Sequence, residues 1–70
     1  MKMIATDYNS ADIMRIMREW TGLEQADFGK TIKKSERTVR AYEAGDINVT
    51  VNMLLDIARK NGIEIIIRKK

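Results

Sequence analysis

Cysteine and histidine are both missing from this chain, and the two absences remove most of the chemistry a small protein can carry. Without cysteine there is no disulfide and no thiol nucleophile. The usual zinc sites are excluded as well, because Cys and His are their main ligands. With histidine goes the commonest general base. No catalytic residue, metal ligand or cofactor is assigned. Asp7, Asp12, Asp27, Asp46 and Asp56 are scattered, and no serine sits near a candidate base, so the chain reads as something other than an enzyme. Also missing is the run of about 18 apolar residues that a membrane span requires. The N-terminus carries one lysine and no long apolar core, which does not read as a signal peptide. A soluble cytoplasmic protein is the expectation. Proline is absent too, and there is no internal repeat or low-complexity segment.

What is present points to one small domain over residues 1–70. A chain of this size holds a single core and buries only about 60% of its unfolded surface. Charged residues make up 33% of it, yet the net charge is only +3. That balance is a weak argument for an acidic partner.

Four helices and a strand can be read along the chain. Residues 1–8 are too short for a helix and form either a loose leader or a short strand. Asn9 or Ser10 then offers an N-cap, with Asp12 in the first turn favouring the positive end of the helix dipole. Ile13, Ile16, Met17 and Trp20 recur at the spacing of one helix face over Ala11 to Trp20, and Gly22 ends that helix. A second helix runs from about Gln25 to Ile32, with Phe28 and Ile32 four apart on its inner side. Gly29 is costly in a helix interior, by about 1 kcal/mol relative to Ala. A glycine there makes sense if another helix backbone crosses close by. Ser35 caps a third helix over Glu36 to Ala44, closed by Gly45, with Val39 and Tyr42 facing inward. Thr50 caps a fourth, in which Val51, Leu54, Leu55 and Ala58 form the apolar stripe and Ile57 widens it. Gly62 stops it. The β-branched segment Ile63 to Arg68 then reads as a strand.

The stretch of about 24–44 is a short helix, a basic turn and a second short helix with arginines on one face. Arg37, Arg40, Ala41 and Ala44 fall at i, i+3, i+4 and i+7, with Glu36 one step round the wheel and the face opposite Val39 and Tyr42. A guanidinium fork can donate two hydrogen bonds to O6 and N7 of guanine, worth roughly 1–3 kcal/mol of discrimination. Ala41 is suited to a thymine methyl and Glu36 to a cytosine amino group. A solvated charged face is the other common use of such a stripe. Lys30, Lys33 and Lys34 around the turn suit phosphate contacts, which position a protein without reading sequence.

In its spacing this pattern resembles the helix-turn-helix of the lambda repressor/Cro-like (XRE-type) family, over most of the chain from the first helix to the end of the fourth. The resemblance implies a mainly α, four-helix DNA-binding domain that places its third helix in the major groove. Gln25 matches the glutamine that the family sets near a DNA phosphate. Ser35 matches a position at the entrance of the groove. Glu43 matches a glutamate that pairs with an arginine of the first helix, here Arg18. Three positions depart from the family pattern. Lys33 stands where glycine with a positive φ is usual, Lys34 where an apolar residue is usual, and Glu24 where a Ser or Thr cap is usual. These departures lead to the expectation of a turn longer or more regularly helical than the family norm.

One strand needs a partner for its backbone donors and acceptors. Ile63, Ile65 and Ile67 point one way and Ile66 the other, so neither side is suited to water alone. Two partners are open: residues 2–6 of the same chain, or the same strand of a second copy across a two-fold axis. The two solutions are compatible, and the second resembles antitoxin-type repressors of the family. Expected partners are therefore double-stranded DNA, a second copy in a homodimer joined through Ile63, Ile65, Ile66 and Ile67, and, in an alternative reading, a toxin protein that the chain masks. The leading reading is a dimeric, sequence-specific repressor. The alternative is a protein-binding antitoxin that also binds DNA.

Overall fold

In the computed structural model, which describes residues 2–4 and 8–67, four helices lie between two short strands. The order is β1 (Lys2–Ile4), α1 (Ser10–Thr21), α2 (Gln25–Thr31), α3 (Glu36–Ala44), α4 (Val51–Lys60) and β2 (Glu64–Ile66).

The helix ends follow from local chemistry. Asn9 Oδ1 accepts from the Asp12 amide at 2.8 Å, so Asn9 rather than Ser10 is the cap of α1. Ser35 and Thr50 cap α3 and α4 through the Thr38 and Met53 amides, each at 3.1 Å. Glu24 caps α2 without a side-chain bond, as its weak capping chemistry leads one to expect. Gly45 closes α3 at φ +82, a left-handed conformation that costs a residue without Cβ nothing. α3 has the expected bounds, α1 gains one residue at each end, and α2 stops at Thr31 with Ile32 as its C-cap.

The core lies where the four helices meet. Phe28, Met14, Met17, Ile57 and Val39 are its fully buried members, joined by Ile13, Tyr42, Val49, Leu54, Ala58, Ile63 and Met3. Two helix faces differ from the periodicity reading. On α1 the centre is Met14 and Met17, while Ile16 and Trp20 are half-buried at its edge. On α4, Val51 is 67% exposed, because the first helical residue precedes the part of the helix that reaches the core; Ile57 takes the central place. Leu55 is half-buried.

The strand pairs within its own chain. β1 and β2 run parallel, with Lys2 opposite Glu64, Met3 opposite Ile65 and Ile4 opposite Ile66. Burial explains the choice: Met3 drops into the core beside Ile63, and Ile65 packs against it. The outer register position sets a lysine opposite a glutamate. β2 covers 64–66, within the expected 63–68; Arg68 and residues 5–7 lie outside the described residues. No helix among the described residues is long and apolar enough to cross a membrane.

Candidate nucleic-acid interface

α2, the turn after it and α3 form one packed unit, and its geometry is set at Gly29. The Lys34 amide donates to the Gly29 carbonyl at 2.8 Å, folding the turn back onto α2. A Cβ on Gly29 would run into the Lys34 carbonyl and would sit 3.3 Å from Val39 Cγ2. The backbone that crosses close to Gly29 is therefore that of the turn, not of another helix as its sequence position suggested; α3 approaches through the Val39 side chain.

The turn is short. It does not lengthen or continue the helix, contrary to the expectation drawn from Lys33 and Lys34. Lys33 instead adopts the left-handed conformation itself, at φ +59, the one non-glycine residue among those described to do so. Tertiary closure outweighs local preference here: Ile32 must turn toward the core, and the Lys34 amide must reach Gly29. Lys34 is exposed and adds no core contact.

The residues singled out for DNA fall into two groups. Lys33 and Lys34 in the turn, Ser35 at the cap, and Glu36, Arg37 and Arg40 along α3 are all exposed. Ala41 is half-buried, one helical turn beyond Arg37. Arg37 and Arg40 project away from Val39 and Tyr42, which are buried. Ser35 is engaged as the cap, and its hydroxyl also donates to Thr38 Oγ1 at 3.0 Å. Among the described residues, Arg37, Lys33 and Lys34 take part in no ion pair. Arg40 differs: its Nη2 lies 2.8 Å from Glu36 Oε1, one helical turn back. The Glu36–Arg40 spacing is the signal that could have revealed this pair, and the residue-type reading passed over it.

Gln25 stands apart from that group. It is half-buried, and its Nε2 donates to Glu43 Oε1 at 3.4 Å. Glu43 is the hub of the interior side: Arg18 Nε donates to its Oε2 at 2.6 Å and Arg18 Nη2 to its Oε1 at 3.0 Å. Arg18 Nη1 reaches the Leu23 carbonyl at 3.0 Å, so one guanidinium ties α1, the α1–α2 loop and α3 together. The hydrogen bond to Glu43 raises the Arg18 pKa above its ordinary value, against the opposing effect of burial. On the exposed side of α1, Arg15 is raised too, first by its hydrogen bond to Glu19. No group of acidic side chains among the described residues is arranged to hold a metal ion.

Ile63 lies in the core of its own chain and Ile65 against it; Ile66 is half-buried and Ile67 is 77% exposed just beyond β2. The alternation expected of the isoleucines thus ends with the strand.

Comparison with known proteins matches residues 14–66 to the helix-turn-helix family, a span running from α1 to the end of β2. No curated protein and no solved structure gives a match. The matched span covers more than half of the chain, and the packed α2–turn–α3 unit lies within it: the chain belongs to the lambda repressor/Cro-like (XRE-type) helix-turn-helix family of DNA-binding regulators.

Proposed function

We propose that the chain is a sequence-specific, double-stranded DNA-binding repressor that inserts α3 into the major groove. The observation that carries this reading is the outward, solvent-facing position of Arg37 and Arg40 on a helix whose other side is anchored by Val39 and Tyr42. Arg37 and Arg40 read base edges, with Ala41 as a secondary contact and Glu36 beside Arg40 at the same surface. Lys33 and Lys34 bind phosphates, and Ser35 sits at the entrance of the groove. Gln25, held through its amide nitrogen by Glu43, keeps its amide oxygen and the first backbone amides of α2 near the phosphate that a helix start favours. Binding, not catalysis, is the activity, and the cytoplasm is its place.

The molecule's longest extent is 35 Å, close to one turn of duplex at roughly 34 Å. One copy therefore suits one half-site, and a homodimer suits a palindromic operator. The edge of β2 away from β1, unpaired among the described residues and with Ile66 and Ile67 beside it, is the proposed dimer contact; Ile63 and Ile65 support it from the core side.

Toxin masking is the second reading. It is favoured by the groove lined by Lys2, Met3, Ile4, Tyr8, Ile16 and Trp20, apolar side chains beside one lysine, with Tyr8 47% exposed.

Selection of the full-length chain against random duplex DNA, followed by a salt titration on the enriched site, tests the first reading. A recovered palindrome whose affinity falls steeply with salt is expected. No enrichment, together with salt-independent binding, overturns it.

A further inference from the structure

Glu36 is the feature of α3 that a DNA-binding surface does not explain by itself. It puts a carboxylate at the leading end of a helix that is to approach a polyanion. Its Oε1 lies 2.8 Å from Arg40 Nη2, and both side chains are more than half exposed. The pair runs from the first residue of α3 to its fifth, with the acid nearer the N-terminus, the favourable order on a helix. Arg37 lies between the two in sequence, is exposed as well, and has no such tie among the described residues. The two arginines of α3 are thus physically unequal. Arg37 is an exposed cation with no ion-pair partner among the described residues, whereas Arg40 is drawn along the helix toward its start with one nitrogen taken and the rest of its fork available.

We propose that Glu36 is a positioning residue that determines specificity: it orients the Arg40 fork for a base edge and keeps that arginine from neutralising a phosphate instead. The inference rests on the groove-facing reading of α3. Two physical effects make the assignment. Holding a long side chain in one rotamer before DNA arrives lowers the ordering cost of a two-point base contact. A carboxylate held at the groove also disfavours every duplex on which Arg40 finds no base to bind, because its charge then faces phosphate without compensation. The same pair supports the helix as any such pair does, but that effect alone changes thermal stability and leaves base preference untouched.

The test uses the full-length chain, the duplex recovered by selection and a random duplex of equal length, with E36Q, E36D, R40A and the E36Q/R40A double variant. E36Q removes the charge: affinity for random duplex rises, the salt dependence steepens by up to about one unit, and the preferred-to-random ratio falls at least about fivefold. E36D keeps the charge but shortens its arm by one methylene and so shifts where the Arg40 fork is held, and the ratio falls while the salt dependence stays unchanged. In the R40A background E36Q no longer alters the ratio. Far-UV circular dichroism confirms that each variant is folded, and E36D decides the case if E36Q melts. A ratio that E36Q and E36D both leave unchanged, or one that E36Q lowers equally with and without Arg40, overturns the role of Glu36 while leaving the groove reading intact. A wild-type chain that prefers no duplex overturns both.

Discussion

Arg18 on α1 and Glu43 on α3 meet in a two-point ion pair across 25 residues of sequence, Nε to Oε2 at 2.6 Å and Nη2 to Oε1 at 3.0 Å. Side-chain exposures of 18% and 7% put it between the surface and interior regimes, nearer the interior. In that regime the cost falls on whichever partner is left behind. Glu43→Ala leaves a part-buried guanidinium with only the Leu23 carbonyl as hydrogen-bond acceptor and frees Gln25 as well. A loss of about 2–4 kcal/mol is expected, read as a lower urea midpoint at unchanged slope. Replacing both partners, Arg18→Met with Glu43→Leu, is expected to recover more than half of it. An unchanged midpoint in Glu43→Ala removes the pair from the account of how α3 is held.

Gly29 gives the second prediction. On an open helix Gly→Ala stabilises by about 1 kcal/mol. Here the new methyl meets the Lys34 carbonyl, which is backbone and is fixed by its own amide bonding to Gly29. Gly29→Ala is therefore expected to destabilise by about 1–3 kcal/mol, the reverse sign. Phe28→Ala, one residue away at a fully buried position, sets the scale at about 3–5 kcal/mol. A Gly29→Ala variant as stable as the wild type means that the turn does not lie against α2.

Lys33 supplies a prediction with opposite effects on two properties. At φ +59 its backbone is strained by the presence of a Cβ, and glycine relieves that strain. Lys33→Gly is expected to raise stability by about 1 kcal/mol and to lower the salt dependence of DNA binding by about one unit. Lys33→Asn, which tolerates this conformation but carries no charge, should reproduce the loss in salt dependence. Gain in stability with no change in salt dependence assigns the lysine no phosphate.

The two kinds of DNA contact are separable on one helix and its turn. Arg37→Ala is expected to cost about 1–3 kcal/mol on the preferred duplex and to relax preference at one position. Lys34→Ala is expected to weaken preferred and random duplexes alike and to flatten the salt dependence by about one unit. Equal losses on both duplexes for both variants remove Arg37 from base reading.

How much of this was legible in the residues depended on whether the determinant was local. The bounds of α3 were, because Ser35 and Gly45 bracket it with caps of opposite kind. The Arg18–Glu43 pair was legible only through resemblance, since nothing local links residues so far apart. The turn departs from its local signal because propensity disfavours a lysine at positive φ, while the closure between Gly29 and Lys34 imposes it. Periodicity counts Val51 into the α4 stripe, but that position lies at the helix start and is exposed, while Leu54, Ile57 and Ala58 are buried. The partner of β2 was undecidable from alternation, because the choice depends on Met3 fitting a space that four helices create.

β2 has β1 on one side, and among the described residues its other edge is unpaired. A second copy adding its own β2 across a two-fold axis would give a four-stranded sheet and cover Ile66 and Ile67. Truncation at residue 63 is a poor test, since Ile63 is 7% exposed and belongs to the core. Ile67→Lys is the sharper one: the residue lies outside β2 and is largely exposed, so the domain should keep its melting temperature. A charge on the shared edge should nevertheless separate the copies. Sedimentation at micromolar concentration is expected to show a dimer for the wild type and a monomer for the variant. Affinity for a palindromic duplex should then fall by about a hundredfold or more, because the second half-site is no longer bound at the effective concentration that linkage provides. A wild-type chain that sediments as a monomer, on or off DNA, refutes the dimer and leaves β1 as the only partner β2 requires.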